Sequence, residues 1–168
     1  MNRRLALAGA ALALPGLAAF RPARAQYGAE GLRQQILMAG AFTMRTSELA
    51  ERRSQNPLIR QFAGFEIAEQ RGIVEAMRIA GFGVIPGGVP VTQREAEAMQ
   101  RLQQLQGFDF DRGYVHEQLR GHRELLDLQS TVARGGGGRD DQIVAAVALP
   151  SIQQHIAMLE GMRQSLRG

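Results

Sequence analysis

Along most of this 168-residue chain, apolar side chains return every third or fourth position, and only two glycine-dense stretches break the rhythm. These are GFGVIPGGVP (81–90) and GGGG (135–138). No segment alternates apolar and polar residues in the way of a half-buried strand. The pattern therefore predicts long amphipathic helices that must bury one face against each other, an all-α fold. A first helix is expected over 30–53 and a second from Pro57 to about Ala80. The turn SQNP between them sets Pro57 at a first helical position. A helical piece over 92–105 looks like a crossover. A third long helix is expected to start around Asp109, a good cap, with Asp111 favouring its positive first turn. The fourth opens at Arg139, Asp140 and Asp141 and runs close to the C-terminus. Short turns between helices one and two and between three and four predict an up-down four-helix bundle, with the longer connection between the second and third.

Residues 1–25 have the layout of a cleavable export signal. Arg3 and Arg4 precede an apolar run from Leu5 to Phe20, and ARAQ offers a cut after Ala25. The run is short for a membrane span, so none is expected after signal removal. The paired arginines suit either a twin-arginine or an ordinary secretory route. Four of the 20 basic residues and none of the 16 acidic ones precede the cut, leaving 16 of each sign in the chain that follows it, where a single domain is predicted over 28–166. That balance, with no Trp and only two Tyr, gives no basis for nucleic-acid binding. Every basic residue is arginine, which reads as compositional bias. The absence of cysteine rules out both a lipid anchor on cysteine and a disulfide framework.

Polar residues on the inner stripes carry what functional signal there is. His122 shares a face with Val115, Leu119 and Leu126, and His155 one with Ala148, Ile152, Leu159 and Met162. Glu66 and Glu69 stand among Phe62, Ile73 and Met77 on the second helix. Buried carboxylates and neutral imidazoles leave lone pairs that a divalent cation satisfies while cancelling charge. The plainer reading is that each histidine hydrogen-bonds an ordinary neighbour. His116 lies off the stripe. Ser47 and Ser151 read as bundle packing, Met77, Met158 and Met162 as core, and no residue is assigned a catalytic role. The glycines follow no strand, which argues against a phosphate loop. Small residues Ala39, Gly40 and Ala41 suggest, more weakly, an apolar-ligand carrier.

Three stretches carry a resemblance: ELAERRSQNPLIRQFA (48–63), GFDFDRGYVHEQLRGHRELL (107–126) and LPSIQQHIAML (149–159). Together and in this order they resemble the ferritin-like bacterial family known as domain of unknown function 4142. The resemblance implies an exported four-helix bundle with an inner polar cluster: a glutamate on the first helix, an Asp-His pair on the second, and histidines on the third and fourth. His122, His155, Asp111 and Tyr114 fit it. Thr43 stands at the glutamate position, and Glu69 and Gln70 at the pair. Thr43 and Gln70 are poor ligands, and a two-metal site needs bridging carboxylates from several helices. The set implied is therefore one divalent ion such as iron, manganese or zinc on Glu69, His122 and His155, or a relict cluster held by hydrogen bonds. Tyr114 is either a donor to that cluster or a packing residue. The chain is expected in the periplasm, binding a metal in its core. The alternative is a non-catalytic structural bundle of the cell envelope with a degenerate metal site, interacting with an unidentified protein partner.

Overall fold

The computed structural model describes residues 28–83 and 88–167; the expected signal, residues 1–25, lies outside them. The first helix, α1 (Ala29–Arg53), ends at Ser54. In α2 (Pro57–Ile79), Asn56 Oδ1 accepts the Leu58 N–H at 3.0 Å and Pro57 takes the first position, where its missing donor costs nothing. The short α3 (Gln93–Gln104) opens on a reciprocal cap between Thr92 and Glu95. Next, α4 (Gly107–Thr131) passes into a turn, Val132–Gly136, whose backbone leaves the helical region at Arg134 and Gly135, the latter with φ +99°. Finally, α5 (Arg139–Ser165) begins where the Gly138 N–H donates to Asp141 Oδ2 at 2.9 Å.

The described residues form the all-α bundle that the periodicity predicts. Two side-chain clamps fix its directions. Ser54 Oγ donates to Asp111 Oδ1 at 2.6 Å, tying the α1–α2 turn to the start of α4. Arg33 forks onto both oxygens of Asp141 at 2.9 and 3.0 Å, tying the start of α1 to the start of α5. Thus α1 and α5 run one way, α2 and α4 the other. The long connection containing α3 returns the chain along the bundle, so the order is up, down, down, up, a departure from the simple up-down alternation expected. Around the barrel α1 packs on α2 and α4, α4 on α5, and α2 more lightly on α5.

One expectation at the start of α4 is corrected. The helix starts at Gly107, two residues before the expected cap, because φ +52° at this glycine turns the chain into the helix early. Asp109 falls in the first turn, and Asp111 is buried against Ser54 instead of serving only the helix dipole.

The core has two apolar halves. One gathers Ile59, Phe62, Phe110 and Leu159; the other Leu32, Ile36, Leu125 and Ile152. On each long helix the residues between these halves are polar: Thr43 to Ser47 on α1, Glu66 on α2, Gln118 and His122 on α4, His155 on α5. By length and composition alone α5 is long and apolar enough to cross a membrane, as core helices of bundles often are. Here it is one wall of the bundle, with Ala145, Ala148, Ile152 and Leu159 on its buried face.

Candidate metal centre

Helical periodicity places the charged part of this layer. On α2 the buried positions Ile59, Phe62, Ala63, Glu66, Ile67 and Gln70 form one stripe with Glu66 at its centre. On α4, Gln118 and His122 stand one turn apart, and on α5 His155 lies between Ile152 and Leu159. Glu66 is completely buried, His122 is 1% exposed and His155 6%. Phe62 closes the layer on one side, its ring centroid 5.9 Å from that of His122 and 5.0 Å from that of His155.

Three ligand atoms converge. Glu66 Oε2 lies 3.0 Å from His122 Nε2 and 3.0 Å from His155 Nδ1, and the two nitrogens are 3.2 Å apart. Ligands ~2.0–2.1 Å from a tetrahedral ion stand ~3.4 Å from one another, so this triangle needs only a few tenths of an ångström of expansion to hold one. These three residues are the group among the described residues whose ligand atoms meet closely enough for a cation.

The outer nitrogens are held too. His122 Nδ1 donates to the Gln118 carbonyl at 2.9 Å, and a carbonyl only accepts, so the hydrogen is on that nitrogen. His155 Nε2 lies 3.3 Å from Glu69 Oε2, and the carboxylate favours a hydrogen there. Glu69 is in turn steadied by Ser151 Oγ, which donates to Oε2 at 2.6 Å. With both outer nitrogens protonated, neutral imidazoles turn lone pairs inward. Ligating histidines are commonly oriented in this way, by a carbonyl or carboxylate on the far nitrogen.

Electrostatics agree with a cation-hungry centre. Burial pushes the Glu66 carboxyl upward, but the charge of His122 and hydrogen bonds from His122 and His155 more than reverse this and hold it well below the usual carboxylate range. Burial lowers His122, yet the charge and hydrogen bond of Glu66 outweigh it and leave the imidazole raised. In the ion-free molecule a proton on His122 therefore does part of the work of a cation. The Gln70 amide donates to Glu66 Oε1 at 3.1 Å, leaving Oε2 to face the histidines.

The expected ligands are thus placed as follows. His122 and His155 meet at the centre. Glu69 stands at the edge of the α2 stripe and reaches the far nitrogen of His155, while Glu66 occupies the inner place. Stepping along α2 by three and four from Ile59 and Phe62 leads to Glu66 and Gln70, and that signal was present in the sequence. Of the two poor ligands, Gln70 donates to Glu66, while the Thr43 hydroxyl donates to the Gly40 carbonyl. Ser151 binds Glu69 and is more than packing. Sequence reasoning missed Gln118, whose carbonyl orients His122 and whose amide reaches Thr43, Thr46 and Ser47 on α1. Tyr114 is fully buried, exchanges a 2.8 Å hydrogen bond with Ser47, and stacks on Phe110. His116 is exposed, as its place off the stripe suggests.

No curated protein and no solved structure matches the chain. Residues 17–162 match the family described as Domain of unknown function (DUF4142), a span that holds all four long helices up to Met162 and every residue of the centre. The chain belongs to that family.

Proposed function

We propose that this chain binds one divalent metal ion through Glu66 Oε2, His122 Nε2 and His155 Nδ1, as an exported bundle of the periplasm. The observation that carries the reading is the hydrogen on His122 Nδ1, fixed by the Gln118 carbonyl, which commits Nε2 to the 3.0 Å approach to Glu66. A neutral imidazole so oriented meets a carboxylate lone pair to lone pair, and a cation between them turns repulsion into ligation. Two nitrogens and one oxygen suit iron(II) or zinc(II) better than magnesium or calcium, with manganese(II) also served by the carboxylate. Glu66 and Glu69 together balance the two charges of the ion. Three protein ligands leave a coordination position open, as in sites that exchange a bound molecule.

Export rests on Arg3, Arg4 and the apolar run to Phe20. N-terminal sequencing of the chain recovered from a periplasmic fraction is expected to begin at Gln26; a cytoplasmic chain beginning at Met1 contradicts this part.

Elemental analysis after dialysis tests the metal. Full-length native protein is expected to hold about one transition-metal ion per chain, and the His122→Ala/His155→Ala double variant almost none. Equal, sub-stoichiometric metal in both leaves the second reading: a structural bundle whose cluster is closed by protons. That reading is favoured by the raised His122 and by the hydrogen bond from Gln70 that already serves Glu66.

A further inference from the structure

A cavity of about 40 Å³ lies beside the centre, bounded by α1, α2, α4 and α5. Its outer wall is half-buried, at Leu37, Ala41 and Met44, and its floor is buried, at Leu125, Ala148 and Ile152. Across its outer part Arg45 Nη2 donates to the Val89 carbonyl at 2.7 Å. Two lining residues also touch the centre: Gln70, bonded to Glu66, and Glu69, beside His155. The wall between cavity and centre is therefore made of one carboxamide and one carboxylate.

We infer that this cavity admits a small uncharged molecule to the open position of the ion, and that the Gln70 carboxamide is its inner gate. The inference rests on the metal-binding reading above. Size sets the class. One water needs ~10–15 Å³ measured this way, so the space takes a molecule of two or three heavy atoms. The lining sets the charge. A hydrated ion passing among Leu37, Ile73 and Ile152 would shed water against apolar walls before reaching Gln70 and Glu69, whereas an uncharged molecule loses little.

Gly40 gives the gate its room. A Cβ at this position would lie 2.5 Å from Gln70 Oε1, so the amide rests where only a glycine on α1 leaves space. From there its Nε2 reaches Glu66 Oε1. Swinging the amide aside breaks one hydrogen bond between neutral and charged groups and opens the buried carboxylate to the cavity, a small movement of one side chain.

Xenon and nitric oxide test the two parts. In ion-free full-length protein, ¹²⁹Xe NMR is expected to show one saturable site in the native chain, lost in Ala41→Leu; no saturable site in the native chain overturns the cavity as a binding space. In iron(II)-loaded protein, with loading verified by elemental analysis, stopped-flow association of nitric oxide is expected to slow about tenfold in Ala41→Leu and to quicken several-fold in Gln70→Ala and Gly40→Ala. Unchanged rates in all three loaded variants overturn the passage. Slowing by Ala41→Leu without quickening by the other two keeps the passage and overturns the gate. Failure of the native chain to load iron or any other ion overturns the metal reading and with it the passage, leaving xenon to decide the cavity.

Discussion

Two buried polar groups lie side by side on α4 and solve burial differently. The first is neutral. Gln118 Nε2 lies 2.8 Å from the Thr43 carbonyl, 2.8 Å from Thr46 Oγ1 and 3.0 Å from Ser47 Oγ, and Ser47 continues to Tyr114 at 2.8 Å. Hydroxyls and an amide both donate and accept, so turning each group toward its neighbour satisfies this group except at Gln118 Oε1, which is buried without a partner among the described residues. One turn further along, Glu66, His122 and His155 form the second group. Once the Gln118 carbonyl has claimed the hydrogen of His122 Nδ1, the inward atoms of a neutral cluster are acceptors. Rotation does not help them; a proton or a metal ion must be added. The neutral group stitches α1 to α4. The charged group joins α2, α4 and α5 around something positive.

Substitutions that convert one group into the other give the largest effects. Glu66→Gln removes the charge and adds a donor among acceptors. Its expected loss of ion affinity exceeds the ~100-fold upper range for outer partners, read by competition with a chelator of known strength. Glu69→Gln leaves all three ligands in place and loosens only His155, so the affinity loss should fall within ~10–100-fold. If Glu69→Gln proves the more damaging of the two, Glu69 is a ligand and the inner assignment fails.

Acidity separates the groups further: in the charged one the His122 imidazole is raised and the Glu66 carboxyl lowered, whereas burial pushes the Tyr114 hydroxyl of the neutral one up, away from neutrality. The His122 imidazole is raised, so in ion-free protein its pairing with Glu66 contributes stability that is complete below the unfolded value near ~6.5 and is lost as pH rises through the folded value. The depressed Glu66 contributes above the unfolded value of ~4.3, and this is lost as pH falls through the folded value in strong acid. Metal must displace the proton on Nε2. Its affinity should therefore weaken as pH falls, by up to about tenfold per unit for each proton displaced, as isothermal titration in buffers of different protonation enthalpy would show. A pH-independent affinity between 5 and 8 would mean that His122 is not a ligand.

The smallest effect belongs to the neutral group. Tyr114→Phe removes one buried hydroxyl bond, expected to cost ~1 kcal/mol in chemical denaturation, with ion affinity unchanged. A shift in affinity would show that Tyr114 acts on the centre through Ser47 and Gln118.

Much of this contrast was legible in the sequence, and the unread part has a physical cause. Apolar spacing located the helices, because a bundle helix must keep one stripe dry. His122 and His155 stood out as titratable groups on such stripes. Choosing between Glu66 and Glu69 was harder. Three residues apart, they face directions ~60° apart, and the angle at which α2 meets its neighbours decides which one points inward. The resemblance drew attention to Glu69 and Gln70, whereas the packing sets Glu66 between the histidines. The neutral group was invisible for another reason. Threonine, serine and glutamine are ordinary on solvated helix faces, and only the close approach of α1 and α4 turns Thr43, Thr46, Ser47 and Gln118 into one network. The same approach leaves no room for a side chain at Gly121, where a Cβ would lie 2.6 Å from Thr43 Cγ2.

Anomalous diffraction from crystals of the metal-loaded native chain, recorded at the absorption edge of the loaded ion, tests the account most directly. It predicts one strong peak ~2.0–2.2 Å from Glu66 Oε2, His122 Nε2 and His155 Nδ1, with Glu69 still on the far side of His155. A peak confined to surface carboxylates, or a loaded crystal in which Glu66 keeps only its hydrogen bonds to the two imidazoles, would contradict it.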